Sequence, residues 1–134
     1  MKRVGCIAIL NPQMTEVIMV TRRNSHLVGF PGGKAEPNET SKEAALRELK
    51  EETGIVLAHT DTNNPILVGI QDGFQVATFL AIQDFSTLTK LQDSEPDIKM
   101  QVISVNKLGD PTVSAFPGYN AMVMEKILEL QMEN

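Results

Sequence analysis

The sequence predicts an α/β fold, an α/β/α sandwich around a mixed β-sheet, and three observations carry that expectation. Short β-branched and aliphatic runs recur both before and after one strongly marked helix. A second stretch with helical spacing lies near the C-terminus, so one helix is available for each face of a sheet. The length of 134 residues, with 42% hydrophobic and 22% charged side chains, matches one globular domain over residues 1–134 with its own core.

Val4 to Leu10 and Glu16 to Thr21 read as two strands forming a hairpin, with Asn11-Pro12-Gln13 as the turn. Leu27 to Asn38 holds Gly29, Pro31, Gly32, Gly33 and Pro37, too many breakers for a regular element, and reads as a structured loop. A helix follows over Ser41 to Thr53. Thr40 is its N-cap, Glu43 the capping-box partner and Gly54 the C′ residue. Ala45, Leu46, Leu49 and Thr53 form its buried stripe, and the opposite side is acidic. Ile66 to Ile70 and Phe74 to Ile82 read as a second hairpin around Gln71-Asp72-Gly73. Asp84 to Asp97 is a polar connection and Met100 to Val105 a further strand. Tyr119 to Met132 reads as a covering helix, with Met124, Ile127, Leu128 and Gln131 at helical spacing.

Charge and cysteine content exclude several function classes. Lys plus Arg number 12 against 17 for Asp plus Glu, a net charge of −5, which disfavours an extended nucleic-acid partner. Cys6 is the single cysteine, so an internal disulfide and a multi-cysteine zinc site are excluded, and a reducing cytoplasm fits best. It falls within a strand and reads as an inert core residue. Lys2-Arg3 followed by Val4 to Leu10 is too short an apolar run for a leader and reads as a buried strand. No run approaches the ~20 apolar residues of a membrane helix, so no membrane partner is expected. His26 and His59 are isolated and read as loop or surface residues.

The chemistry concentrates between Gly32 and Ile55. Glu48, Glu51 and Glu52 stand at i, i+3 and i+4, so their carboxylates project from one helix face within ~6 Å of rise. Oxygen-only ligation of this kind matches Mg²⁺ or Mn²⁺, ions usually shared with substrate phosphates. Taken alone, the same string also reads as a solvated acidic face. The context that decides between them is the loop Gly29-Phe30-Pro31-Gly32-Gly33-Lys34, whose glycines let backbone groups approach a ligand.

The segment Gly33 to Ile55 resembles the Nudix box at every specified position, Gly-x5-Glu-x7-Arg-Glu-U-x-Glu-Glu-x-Gly-U, with U a bulky aliphatic residue. The flanks resemble the family too: two strands before the box, Glu95-Pro96 and a strand after it, and a C-terminal helix. The resemblance implies a metal-binding loop-helix-loop at which water attacks phosphorus in a nucleoside diphosphate linked to another group. By position it makes Glu51 and Glu52 the principal metal ligands, Glu48 a ligand or the base, and the Gly32 carbonyl a backbone ligand. Glu95 is the alternative base. Arg47 with Glu39 is implied to pin the loop to the helix, a direct phosphate contact being the other role open to Arg47. Arg22, Arg23 and Lys34 flank the acidic cluster in sequence and read as substrate-binding cations. A stacking platform for a base would have to come from Phe30, Phe74, Phe79, Phe85, Phe116 or Tyr119, each of which otherwise reads as core.

The expected function is therefore a metal-dependent hydrolase of phosphoanhydrides in nucleoside diphosphate-linked compounds, with Mg²⁺ or Mn²⁺ as cofactor and a small nucleotide as partner. Within the family, chains of this size resemble pyrophosphohydrolases of modified nucleoside triphosphates. The alternatives are dinucleoside polyphosphates, nucleoside diphosphate sugars, RNA 5′ ends, and a non-catalytic nucleotide sensor on the same fold. Pro65 lies too close to the box for the proline of the ADP-ribose group, and Asp72 stands where the diadenosine group places a tyrosine. Monomer and homodimer both remain open.

Overall fold

The structure, a computed structural model, describes residues 1–22, 24–59, 62, 64–88 and 97–133. Its elements run β1 (Arg3–Leu10), β2 (Glu16–Thr21), β3 (Val28–Gly29), β4 (Gly32–Lys34), α1 (Ser41–Thr53), β5 (Leu67–Gln71), β6 (Phe74–Ile82), β7 (Lys99–Ser104) and α2 (Pro117–Met132).

The sheet is mixed. β1 lies parallel to β6 along its whole length, from Arg3 opposite Gln75 to Leu10 opposite Ile82, and the other pairings between strands of the described residues are antiparallel. Side chains alternate across it, as the period of two requires. Ile7, Ile9, Ala77, Phe79 and Ala81 face α1 and pack with its Ala45 and Leu49. Ala8, Leu10, Val17, Met19 and Val76 face α2 and pack with Tyr119, Val123 and Ile127. This is the expected α/β/α arrangement.

Three details differ from the sequence reading. Leu27 to Asn38 contains two short strands: Gly32–Lys34 pairs with Cys6–Val4 of β1, and Val28–Gly29 pairs with Thr21–Val20 of β2. The tertiary partner, not local propensity, holds them extended. The buried face of α2 is centred on Tyr119, Asn120, Val123 and Ile127, while Met124, Leu128 and Gln131 flank it. Glu52, on the side read as acidic and opposite the buried stripe, is itself buried.

The free edge of β1 is divided. Its first half takes β4, and its second takes β2 only at Ile9–Ile18 and Leu10–Val17. Between them the Ile7 N–H donates to the Pro31 carbonyl at 2.9 Å. β4 and β2 thus share one edge of β1, β4 taking Val4 to Cys6 and β2 taking Ile9 and Leu10.

α1 is positioned by its own ends and by one glycine. Thr40 Oγ1 accepts from the Glu43 N–H at 3.0 Å, and the Glu43 carboxylate accepts from the Thr40 N–H at 2.9 Å. Gly54 closes the helix with φ 79°. The first turn lies directly on Gly5 of β1, where a Cβ would run into the Ser41 carbonyl oxygen. Gly5→Ala therefore has to lift the helix off the sheet, and we expect a loss of about 2–3 kcal/mol or more. A wild-type urea midpoint for that variant would show that the helix can shift without cost.

Candidate active site

The register of β4 on β1 decides which face of α1 becomes chemical. β4 lies along the flank of α1 that carries Glu48 and Glu52, the i, i+4 pair. Burial is graded across the cluster: the side chain of Glu52 is 4% exposed, Glu48 20% and Glu51 44%. The three carboxylates expected on one face thus stand in different environments.

Glu52 is the buried anchor. The Gly32 N–H donates to its Oε1 at 2.8 Å, and Arg22 Nη2 donates to its Oε2 at 2.6 Å. Burial pushes its carboxyl above the usual range, while Arg22 and the Gly32 amide pull it back down. The same Arg22 Nη2 also donates to the Gly32 carbonyl at 3.2 Å. Arg22 is thus brought into the acidic cluster, and its partners there are the two oxygen groups implied as metal ligands.

Glu48 stands against Gly33, where a Cβ would come within 2.6 Å of the Glu48 carboxyl carbon. The obstacle is the end of a flexible side chain, unlike the backbone facing Gly5. Gly33→Ala should therefore fold with a melting temperature near wild type and displace the Glu48 carboxylate, lowering kcat/KM by about 10- to 100-fold. Steady-state kinetics alongside a thermal melt separate the two effects, and unchanged kcat/KM would remove Glu48 from the reacting centre.

Arg47 is the hub of the remaining charges. Its Nε and Nη2 take the Glu39 carboxylate at 2.7 and 2.9 Å, its Nη1 reaches Glu48 at 3.0 Å and Glu51 at 3.3 Å, and Nη2 also donates to the Lys34 carbonyl at 3.2 Å. The two-point grip holds the Glu39 carboxyl down at about 2. Arg3 Nη2 adds a bond to the Glu39 carbonyl at 2.7 Å, so the loop before α1 is tied to both helix and sheet.

Lys34 lies over the Phe74 ring, its Nζ 5.2 Å from the centroid. Arg23 and Glu95, also expected at the site, lie outside the described residues. His26 and His59 are exposed, as read from their isolation.

The donors around Gly32 are carbonyl and carboxylate oxygens, which suits a hard divalent cation. Among the described residues, however, no three His, Cys, Asp or Glu side chains stand grouped as a metal-holding set. The carboxylates are divided between two guanidinium groups, Arg22 at Glu52 and Arg47 at the others.

A cavity of about 510 Å³ opens beside these residues, and its wall includes Arg22, Gly32, Gly33 and Lys34. Phe30, Phe74, Phe116 and Tyr119 also line it, whereas Phe79 faces α1 and Phe85 packs on that side. Cys6 lines the cavity as well, and burial pushes its thiol up to about 12, which keeps it protonated.

Sequence reasoning missed Asn120, which is 2% exposed, lines the cavity and donates through Nδ2 to Ser114 Oγ at 2.6 Å. A signal was present. Asn120 stands at i, i+3, i+7 with Val123 and Ile127, a polar residue on the apolar face of its helix. Tyr119 beside it shares a 2.7 Å hydrogen bond with Thr78 Oγ1, which fixes the depth of α2 against β6.

A domain model described as NUDIX domain matches residues 1–116. A putative 8-oxo-dGTP diphosphatase of Bacillus subtilis (strain 168) is 38% identical over 50 residues, 37% of this chain and 34% of that protein. The chain thus matches about a third of that relative's length. The 8-oxo-dGTP diphosphatase of Escherichia coli (strain K12) is 28% identical over 118 residues, 84% of this chain and 87% of that one. A solved structure from work on MutT of Aliivibrio salmonicida and Vibrio cholerae superposes with a TM-score of 0.71 at 20% identity. It covers 96% of this chain and 98% of its own, a likeness of fold. With a domain model spanning most of its length and every box position filled, the chain belongs to the Nudix hydrolase family.

Proposed function

We propose that this protein hydrolyses the phosphoanhydride of nucleoside triphosphates, modified ones above all, to a nucleoside monophosphate and pyrophosphate, and that it needs Mg²⁺ or Mn²⁺ to do so. The observation that carries this reading is the cavity of about 510 Å³ whose wall is shared with Arg22 and Gly32. Its size lies within the range of ~300–1,000 Å³ for small-molecule sites. A nucleoside among Phe74, Phe116 and Tyr119 would bring its phosphates to Arg22, Lys34 and the acidic face of α1. Both relatives described above are named for a modified deoxynucleoside triphosphate, which supports the same substrate class.

In this reading Glu52, Glu48, Glu51 and the Gly32 carbonyl would hold the cation. Once bound, it would neutralise phosphate charge and lower the pKa of water. The chain's own residues do the rest. Gly32 keeps the Glu52 carboxylate aimed, through its N–H. Arg47 keeps Glu48 and Glu51 from spreading apart and holds the loop. In this reading Glu48, whose side chain lies against the cavity-lining Gly33, takes a proton from attacking water, with Glu95 as the alternative acceptor. Asn120 offers a buried amide to the base edge. Little covalent chemistry is asked of the protein, since phosphoryl transfer is mainly positioning and charge stabilisation.

No helix among the described residues is long and apolar enough to cross a membrane. A cytoplasmic setting is part of the proposal and rests on the single, unpaired Cys6.

The test is a nucleotide panel with Mg²⁺ and then with chelator, the products identified by mass. Metal-dependent release of pyrophosphate from a nucleoside triphosphate is expected. Preference for a dinucleotide, a nucleotide sugar or a triphosphorylated oligonucleotide would replace the substrate class, and binding without turnover would make the protein a sensor.

A further inference from the structure

Arg22 follows β2 directly, and its side chain is 44% exposed at one end of an ion pair whose other member, Glu52, is 4% exposed. Its two bonds share one nitrogen: Nη2 lies 2.6 Å from Glu52 Oε2 and 3.2 Å from the Gly32 carbonyl oxygen. Glu52 Oε1 is engaged by the Gly32 N–H, so the remaining Glu52 oxygen and the carbonyl of the same glycine form a small anionic notch. A guanidinium nitrogen fills it. A divalent ion bound to both oxygens at ~2.1 Å would need the space that Nη2 occupies, and two positive centres cannot share it.

We propose that Arg22 is an exchangeable internal counter-ion of the cation site. Its guanidinium closes the Glu52–Gly32 notch in the free protein, and an arriving divalent cation displaces it into the cavity it already lines. The inference rests on the metal reading given above. Arg22 is suited to the exchange because it lies beyond the last paired residue of β2, Thr21, and can swing without breaking the sheet. Arg47, gripped at two points by Glu39, is built to stay.

Two consequences follow from competition for one notch. Metal affinity of the nucleotide-free protein is scaled down by the fraction of molecules in which Arg22 is undocked, about tenfold if nine in ten are closed. Substrate phosphates, by holding the displaced guanidinium, tighten metal binding beyond any direct contact between phosphate and ion.

The experiment is a Mn²⁺ titration of the nucleotide-free protein, with free Mn²⁺ read by electron paramagnetic resonance. Arg22→Gln is expected to bind Mn²⁺ about tenfold more tightly than wild type. Lys34→Gln, which removes a charge from the same cavity, is expected to stay within about twofold. In ¹⁵N-arginine-labelled wild type, the Arg22 guanidinium signal, identified by its loss in Arg22→Lys, should pass from hindered to free rotation as Mg²⁺ is added. That reading stands even if Arg22→Gln fails to fold. An Arg22 signal indifferent to Mg²⁺, no gain in affinity in Arg22→Gln, or an equal gain in Lys34→Gln overturns the exchange. If Mn²⁺ does not bind, or binds Glu52→Gln as it binds wild type, the metal reading itself fails and the exchange falls with it.

Discussion

Glu52→Gln is expected to lower turnover by about 10²-fold or more at saturating Mg²⁺, with a melting temperature within a few degrees of wild type. The amide keeps the shape of the side chain and one acceptor, which the Gly32 N–H can retain. Its NH₂ group then faces the Arg22 guanidinium, donor against donor, but Arg22 is half exposed and can turn to solvent. What the variant loses is the negative charge at the most buried point of the cluster, where a cation gains most from it. Kinetics across a Mg²⁺ series read the effect. Near-normal turnover at saturating Mg²⁺ would remove Glu52 from the reacting centre.

Arg47→Ala is expected to lower stability and activity together, by about 5–10 °C in melting temperature and at least tenfold in kcat/KM. The substitution removes the two-point bond to Glu39 and leaves Glu48 and Glu51 without the cation between them. The pH dependence follows from the sign of the Glu39 shift. Its carboxyl titrates at about 2 in the folded chain, below the ordinary value of about 4.3. The pair's stabilisation is therefore fully present above about pH 5 and is lost as the pH falls towards 2. The gap in urea midpoint between wild type and Arg47→Ala should be constant near neutrality and narrow on acidification over that window. A full gap at pH 2.5, or equal melting temperatures at pH 7, would show that Arg47 does not act through Glu39.

These two residues show how far the site was legible beforehand. The Arg47–Glu39 tie spans eight positions within a loop-helix unit, and the box resemblance names it. The partner of Glu52 is different in kind. Arg22 lies thirty positions away across the sheet, and sequence supports only the general expectation that nearby cations face phosphate. Likewise Asn120 could be noticed as a polar residue at an apolar position, but its place in the cavity wall depends on how α2 seats against β6 through Tyr119 and Thr78.

By itself the sequence determined the helix with its Thr40, Glu43 and Gly54 ends, the Asp72-Gly73 hairpin and the full carboxylate motif. Each is written in residues a few positions apart, where turn geometry and side-chain period act directly. Only the tertiary structure decided that Gly32–Lys34 becomes a strand, that β1 and β6 pair in parallel, and that Glu52 is buried while Glu51 stays half exposed. Those outcomes depend on which distant segment supplies the missing hydrogen bonds or displaces water, and local propensity holds no record of that partner.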